Sequence, residues 1–251
     1  MRPATALLPV LLAAVLATAA PVRAELPYSD AERTALHEEI RTYLLDNPEI
    51  LREMIALLEA QAQADGAAND RALVAAHADT IFDDGFSFVG GNPEGSFTIV
   101  EFLDYQCGYC RRAHPELMEF LSEDGDIRWI VKEMPILGPG SELAARAAIA
   151  TLISAGPTAY AMLNDGLMRM QGPIDDAVID GALRATDLDP AAIRALMDGP
   201  EVTRRLEETR ALAGTLSITG TPTFVFGDRM VRGYMPLAQM QTLLAELRPA
   251  D

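Results

Sequence analysis

The chain has 251 residues, only two cysteines and a formal net charge of −17 at pH 7. Because so acidic a body repels nucleic acid and anionic lipid, we expect neither as a partner. A chain of this length can bury a hydrophobic core without disulfide bonds, so the two cysteines are not needed for stability and are available for another role.

The first 24 residues are expected to be a cleaved secretory signal peptide. Arg2 precedes the apolar run ALLPVLLAAVLATAA, and Val22 and Ala24 suit a signal peptidase. The run of about 15 residues is shorter than the ~20 that a membrane-spanning helix needs, although an uncleaved anchor is the alternative. We therefore predict an exported protein.

Residues 25–62 are predicted to form an N-terminal helical arm. Asn47 suits a helix cap and Pro48 suits a first helical position, so we expect two short helices or one kinked helix. Apolar side chains recur every seven residues at Leu36, Tyr43, Ile50 and Leu57. Such apolar rows need burial, either against the catalytic domain or against a copy of themselves. The seven-residue recurrence favours self-association, and we predict a homo-oligomer, a dimer or a trimer, assembled through residues 30–60.

A linker and a further helix are predicted over residues 63–84. The segment QAQADGAAND (61–70) consists of small and polar residues and contains one glycine, which indicates a break in the helical pattern. The following DRALVAAHADTIF indicates a helix that leads into the main domain.

From residue 85 to residue 251 the sequence predicts an α/β domain. Turn residues in GGNPEG are followed by a β-branched and aromatic run, which predicts a strand ending near Tyr105. We expect a helix from after Cys107 to about Leu121, and a second buried strand over 127–135.

The rest of this domain is predicted to be mostly helical. The region from about 140 to 217 is rich in Ala and Leu, with turns at SAGPT, QGPID and DLDP. TFVFGDRMVRG predicts a hairpin with Gly227 and Asp228 at its turn, and PLAQMQTLLAEL predicts a closing amphipathic helix. The order of elements describes a small sheet covered on its faces by helices.

The two cysteines, Cys107 and Cys110, lie where the predicted strand ends and a helix begins. There the helix dipole and unpaired backbone N–H groups lower the pKa of the Cys107 thiol, while Cys110 lies one turn inside the helix. A structural disulfide is the first alternative, but so short a loop stabilises little. A zinc site is the second, but His37, His77 and His114 form no second ligand pair. We predict no metal and no cofactor.

Two further features belong with the cysteines. Glu101 lies on the otherwise apolar strand TIVEFL and is predicted to point beneath the thiols, where a buried carboxyl can exchange a proton with Cys110. A salt-bridged or edge-exposed acid is the alternative. The segment GTPTF places Thr221 before Pro222, and a cis bond there would turn the Thr221 backbone towards an extended substrate.

These motifs resemble the thioredoxin superfamily and, within it, exported DsbA-like proteins. VEFLDYQCGYC and GTPTFVFG are similar to the CxxC and cis-proline segments, while EEIRTYLLDNPEIL and MPILGPGSELAARAA resemble the ScsC and Com1-type branch. The resemblance covers about 85 to 248. It implies a thioredoxin fold with an inserted helical domain and an N-terminal arm, a periplasmic location, and thiol–disulfide exchange on protein substrates.

The resemblance also implies a role for each site residue. Cys107 is the nucleophile, Cys110 the resolving thiol and Glu101 the proton relay. Thr221-Pro222 is the substrate-binding turn, joined by Gly108 and Tyr109. We expect Arg111 and Arg112 to be solvated, and we assign His114 no catalytic role.

CGYC and the threonine before Pro222 are similar to the isomerase DsbC, so we predict an isomerase-like enzyme. A DsbA-like dithiol oxidase and a periplasmic copper-binding protein are the alternatives. The expected partners are unfolded or misoxidised exported proteins and a membrane redox protein. That membrane protein would be a DsbD- or ScsB-like reductase for an isomerase, or a DsbB-like oxidase otherwise.

Overall fold

The computed structural model describes residues 28–248, and the predicted signal peptide lies outside them. The described residues divide into two compact units, one up to Leu58 and the other from Glu59. Among the described residues, no helix combines the length and the apolar character needed to cross a membrane.

The described part of the chain begins with two helices, α1 (Asp30–Asp46) and α2 (Pro48–Ala76). A capping box between Ser29 and Glu32 begins α1, and the helix ends at Asn47, whose N–H donates to the Tyr43 carbonyl. Pro48 is the first residue of α2, as the sequence predicts, because a proline there forfeits no intrahelical hydrogen bond.

The predicted linker over 61–70 is wrong, because α2 continues through it without a break. Its alanines and glutamines are strong helix formers, and the single Gly66 costs only about 1 kcal/mol. The predicted boundary at residue 63 therefore falls inside α2. The helix expected after the linker is the end of α2 followed by the short α3 (Ala78–Phe82).

Five strands form one sheet in the order β1-β3-β2-β4-β5. Strands β2 and β3 are parallel, and the other neighbouring pairs are antiparallel. The bounds are β1 (Phe88–Gly91), β2 (Phe97–Leu103), β3 (Ile127–Glu133), β4 (Thr223–Phe226) and β5 (Arg229–Arg232). The hairpin turning at Gly227-Asp228 is confirmed, whereas β1 was not predicted.

Within residues 28–248, six further helices are present: α4 (Gly108–Asp124), α5 (Pro139–Arg169), α6 (Asp176–Ala185), α7 (Pro190–Met197), α8 (Pro200–Thr215) and α9 (Leu237–Leu247). The turns predicted at QGPID and DLDP separate α5 from α6 and α6 from α7. The turn predicted at SAGPT is instead a kink inside α5, at Gly156. Helices α5 to α8 lie between β3 and β4, where the sequence predicted an inserted helical region of about 140–217.

Strand β2 is buried on both faces of the sheet. Ile99 and Leu103 belong to the larger apolar cluster, which includes residues of α4 and α5, whereas Val100 and Phe102 belong to a smaller cluster with Ile218. By the alternation of strand side chains, Glu101 shares the face of Ile99 and Leu103. The fold is the predicted α/β thioredoxin arrangement, and it places a carboxyl in the larger core.

Candidate functional site

The turn between β2 and α4 is held by Asp104, which is buried. Its carboxylate accepts hydrogen bonds from the backbone N–H of Gln106 at 2.7 Å and, on its other oxygen, from Ile136 at 2.8 Å and Leu137 at 3.0 Å. Its carbonyl accepts from the N–H of Cys107 at 3.0 Å. These bonds fix the loop after β3 beside the start of α4.

Cys107 is the N-cap residue of α4 and is 7% exposed. Its thiol donates to the Thr221 carbonyl, with Sγ and O 3.1 Å apart. A hydrogen bond from the Cys110 thiol does most to lower the pKa of Cys107, to about 5 from 9.0. The Thr221 side chain and the N–H groups of Cys110 and Tyr109 act in the same direction, and burial opposes them.

Cys110 lies one turn into α4 and is fully buried. Burial raises the pKa of its thiol far above the ordinary value, and its hydrogen bond to Cys107 and the charge of Glu101 raise it further. Both cysteines are free thiols in this structure. The pair therefore holds one thiolate, on Cys107, and one proton, on Cys110, at neutral pH.

Glu101 is 1% exposed, and its neighbours on the same face of β2, Ile99 and Leu103, belong to the apolar cluster that also contains both cysteines. Burial raises the pKa of its carboxyl to about 8, and the charges of Glu133 and Cys107 also raise it. The Trp129 indole N–H donates to Glu101 Oε2 at 3.2 Å. This geometry excludes the alternative of an edge-exposed acid. Trp129 was not predicted from the sequence as a site residue. It lies near Glu101 because β2 and β3 are parallel neighbours, in a register that pairs Ile99 with Trp129.

The Thr221-Pro222 peptide bond is cis, as considered from the sequence. It precedes β4, which pairs with β2. This pairing brings Thr221 next to Cys107, although the two residues are 114 positions apart in sequence. While Cys107 is a thiol that donates to the Thr221 carbonyl, the buried Thr221 hydroxyl has no hydrogen-bond partner among the described residues. That hydroxyl is the Thr221 group that can donate to a thiolate on Cys107.

Gly108 and Tyr109 lie at the surface beside Cys107, and Tyr109 is 63% exposed. It stacks on Tyr234, with ring centroids 6.5 Å apart. The Tyr234 hydroxyl donates to Glu116 at 2.5 Å, and the Arg112 guanidinium lies 4.4 Å from the Tyr234 ring centroid. Tyr234 follows β5 and carries no local sequence signal for this site.

Three charged or titratable side chains of α4 have other contacts. Arg111 is not solvated as expected, since its Nε donates to the Tyr105 carbonyl at 2.6 Å and its other nitrogens lie 3.3 Å from the Gly172 carbonyl. Arg112 is exposed. His114 is buried, with Nε2 3.0 Å from Asp165, and desolvation lowers its pKa. Within residues 28–248, no three His, Cys, Asp or Glu side chains are grouped so that they could hold a metal ion.

An acidified thiol at a helix N-terminus, a buried partner thiol and a cis-proline loop on this sheet define the thioredoxin class of thiol–disulfide proteins. The chain belongs to the family of the DSBA-like thioredoxin domain, whose model matches residues 98–245. Members of this family are thiol:disulfide oxidoreductases of the DsbA and ScsC type. Residues 32–65 match the copper resistance protein ScsC N-terminal domain.

Solved structures agree with this family. A thioredoxin-like oxidoreductase from Silicibacter pomeroyi is 38% identical, covers 69% of this chain and 98% of its own, and has a TM-score of 0.64. A linker-deletion mutant of Proteus mirabilis ScsC is 25% identical over 88% of this chain and 97% of its own, with a TM-score of 0.67. The thiol–disulfide exchange protein α-DsbA2 from Wolbachia pipientis is 26% identical over 72% of this chain and 98% of its own, with a TM-score of 0.67.

Among curated relatives, the Na(+)/H(+) antiporter NhaA 1 of Salinispora arenicola is 29% identical over 171 residues, which are 65% of this chain and 26% of that protein. The chain therefore matches only about a quarter of that relative's length. Disulfide bond formation protein D of Bacillus subtilis is 22% identical, over 63% of this chain and 76% of its own.

Proposed function

We propose that the chain is an exported thiol:disulfide interchange protein that acts on protein disulfides through Cys107 and Cys110. One observation carries the proposal: the Cys107 thiol has a pKa of about 5 beside the Thr221 carbonyl, while Cys110 is buried near a carboxyl. A thiolate is the nucleophile in disulfide exchange, so Cys107 attacks first. The protonated Cys110 reacts only afterwards, when it resolves the mixed disulfide.

The exchange proceeds in two balanced steps. The Cys107 thiolate attacks a substrate disulfide, so that one substrate sulfur leaves as a thiolate and the other is joined to Cys107. Cys110 then gives its proton to Glu101 and attacks Cys107 Sγ, which forms the Cys107–Cys110 disulfide and releases the second substrate thiolate. The two electrons have passed to the substrate, and the reverse sequence oxidises it.

An isomerase uses only the first step and its reversal. In the mixed disulfide, another thiolate of the substrate attacks the substrate sulfur and releases Cys107 unchanged, so no electrons are transferred overall. The Thr221-Pro222 turn and the exposed Tyr109 are proposed to hold an extended substrate segment next to Cys107. Gly108 leaves that approach open, because nothing lies within 4 Å of the position a side chain would take.

We favour the isomerase-like mode over the dithiol oxidase, because CGYC and the threonine before Pro222 are similar to DsbC. Refolding assays on ribonuclease A separate the two. The isomerase mode predicts recovery of activity from scrambled ribonuclease, and Cys107→Ser should abolish it. Recovery from reduced ribonuclease alone, with none from the scrambled form, would reject the isomerase mode.

The location and the redox partner follow from this choice. We propose a periplasmic protein released by cleavage after residue 24, and a structural relative from Salmonella enterica is described as periplasmic. An isomerase needs a DsbD- or ScsB-like reductase to keep Cys107 reduced, whereas an oxidase needs a DsbB-like partner. Trapping the thiols in cells with an alkylating reagent distinguishes them, since a mainly oxidised pair indicates the oxidase.

Residues 25–62 are proposed to be an oligomerisation arm, and residues 85–251 the catalytic domain. None of the residues of α1 is buried. Large apolar side chains of the first unit are exposed at Leu36, Ile40, Tyr43, Leu45, Leu51, Met54, Ile55, Leu57 and Leu58. Such apolar rows at helical spacing are stabilised by pairing with copies of themselves.

Light scattering tests the arm. The full chain should have the mass of a dimer or a trimer, and both removal of residues 25–60 and the paired change Leu51→Glu, Leu58→Glu should give a redox-active monomer. An unchanged mass in the two variants would show that assembly, if present, lies elsewhere.

Copper binding is the second candidate, favoured by the match of residues 32–65 to a copper resistance protein domain. Adjacent thiolates suit Cu(I), and Cys107 and Cys110 are within hydrogen-bond distance of each other. Competition with a coloured Cu(I) chelator tests this role. Binding that survives Cys107→Ser would exclude the thiol pair as the site.

A further inference from the structure

A second buried carboxyl lies in the core behind the reactive thiols. Glu133 is the last residue of β3 and is 5% exposed. Its Oε1 accepts two hydroxyl hydrogen bonds, from Tyr105 at 2.8 Å and from Tyr160 at 2.5 Å. Asn164 Nδ2 in turn donates to the Tyr105 hydroxyl at 3.1 Å. The proposed exchange reaction leaves this network without a role.

The sheet places Glu133 beside Glu101. In the parallel register of β2 and β3, Glu101 pairs with Val131 and Leu103 pairs with Glu133. Paired residues of parallel strands share a face, and residues two apart on one strand share it too. Glu133 is therefore the diagonal neighbour of Glu101, on the face that also carries the thiols.

We propose that Glu133 is a positioning residue for Glu101: its buried charge sets how strongly Glu101 holds the proton that Cys110 gives up. The hydroxyls of Tyr105 and Tyr160 stabilise that charge once Glu133 ionises. This inference rests on the proposed role of Glu101 as the proton acceptor in the resolving step.

Two neighbouring carboxyls in a core rarely carry two charges, so the order in which they ionise matters. Glu133 accepts two hydroxyl bonds, whereas Glu101 accepts one indole bond, so the first negative charge falls on Glu133. Burial raises the pKa of Glu133 to about 8. Once charged, Glu133 raises the pKa of Glu101.

Titratable and charged groups face this pair from every element packed against it. The charge of Asp104 raises the pKa of Glu133, and that of Cys107 raises the pKa of Glu101. Arg205 of α8 lines a small cavity with Glu133 and Tyr160, but its nitrogens are engaged by Glu201 and the Phe86 carbonyl. The remaining groups are Tyr105, Tyr160, Cys110 and, behind Trp129, His114.

The consequence is a stronger base where the reaction needs one. The Cys110 thiol holds its proton tightly, so a carboxylate of ordinary basicity accepts that proton only with difficulty. A negative charge on Glu133 makes the Glu101 carboxylate more basic. Above about pH 8, where both carboxyls are ionised, the proton transfer is balanced: Cys110 loses one proton, Glu101 gains it, and Glu133 keeps its charge.

The test is Glu133→Gln in the full chain, read by carbon-13 NMR of labelled glutamate carboxyls in the reduced protein. The Glu101 signal is identified by its loss in Glu101→Gln. We expect its titration midpoint to fall by about one pH unit from the wild-type value near 8. An unmoved midpoint overturns the inference.

Kinetics give the second readout. A small thiol is attached to Cys107 as a mixed disulfide, and its release by Cys110 is followed against pH. Glu133→Gln should move the acid limb of this profile down by about one pH unit and lower the plateau roughly three-fold. Glu207→Gln, an exposed carboxyl on α8, is the matched control and should change neither readout. An equal shift in that control would also overturn the inference.

Two outcomes separate this inference from the proposed function. If Glu101→Gln leaves the release rate unchanged, the role of Glu101 fails, but the NMR midpoint still decides whether Glu133 acts on it. If Glu133→Gln does not fold, Tyr160→Phe removes one donor to Glu133 and should lower the Glu101 midpoint by a smaller amount. No change in that variant would count against the inference.

Discussion

At the scale of single residues, the two thiols differ because their surroundings differ. Cys107 meets hydrogen-bond donors at the start of α4, which stabilise a negative charge, whereas Cys110 is surrounded by apolar core and by the charges of Glu101 and Cys107. Three positions along a helix are enough for this contrast. The difference in pKa, more than the presence of two thiols, decides which cysteine attacks.

The Cys107 thiol should ionise with a midpoint near pH 5 in place of its ordinary 9.0. Ultraviolet thiolate absorbance of the reduced protein against pH measures this midpoint. Cys110→Ser keeps a hydroxyl donor and should change it little, whereas Cys110→Ala removes the strongest donor and should raise it. An alkaline midpoint in the wild type would contradict the proposed nucleophile.

Glu101→Gln should slow the resolving step by about 100-fold, because the Cys110 proton then has no buried acceptor. The first step, attack of Cys107 on a substrate disulfide, should keep its rate, and this makes it the internal control. Stopped-flow measurement of mixed-disulfide formation and decay separates the two. Equal slowing of both steps would indicate a structural defect.

At the scale of elements, the sequence predicted what local patterns encode and missed what distant contacts create. The strand that carries Glu101 and the helix that follows Cys107 were predicted correctly, since periodicity and strand-end position are local. Strand β1 was missed, because two of its four residues are Gly90 and Gly91. Trp129 and Tyr234 were not predicted, because both are distant from the cysteines in sequence. The register of β2 and β3 brings Trp129 to the site, and the segment after β5 brings Tyr234 there.

The segment SAGPT was predicted to be a turn, but the structure has a kink there inside α5. The kink lies at Gly156, whose φ of 81° is not helical. Gly156→Ala should destabilise the protein by about 1–3 kcal/mol, since a residue with a Cβ is strained at a φ of 81° and a ψ of −175° although nothing obstructs the Cβ itself. Gly166→Ala in the same helix has an open position and an ordinary φ, and should stabilise by about 0.5–1 kcal/mol. Urea unfolding of both variants measures the contrast. A stabilised Gly156→Ala would contradict the backbone assignment.

At the scale of the whole molecule, redox state, protonation and stability are linked through the same buried groups. The folded-state pKa of Cys107 lies below its unfolded value, so its thiolate stabilises the reduced fold. The pKa values of Glu101 and Glu133 lie above their unfolded value of 4.5, so those two carboxyls destabilise the fold as pH rises towards 8. In the reduced protein, the Cys107 thiolate and the two carboxyls therefore change the free energy of unfolding in opposite directions as pH rises. Comparing the wild type with variants separates these contributions.

The reduced wild type should gain stability over reduced Cys107→Ala as pH rises, because only the wild type carries the acidic thiol. The Cys107 charge also raises the pKa of Glu101, which offsets a small part of this gain. The Cys107 contribution is absent below pH 5, grows above it and is complete only above pH 9.0, the unfolded value. Between pH 4 and pH 7 the difference in free energy of unfolding should grow by about 2 kcal/mol, after allowance for solvent screening. Guanidinium unfolding of both proteins under reducing conditions at the two pH values measures it. The Cys107–Cys110 disulfide has no thiolate to stabilise, so the oxidised wild type should not gain this stability over the same pH change. A gain of equal size in the oxidised protein would show that another group is responsible.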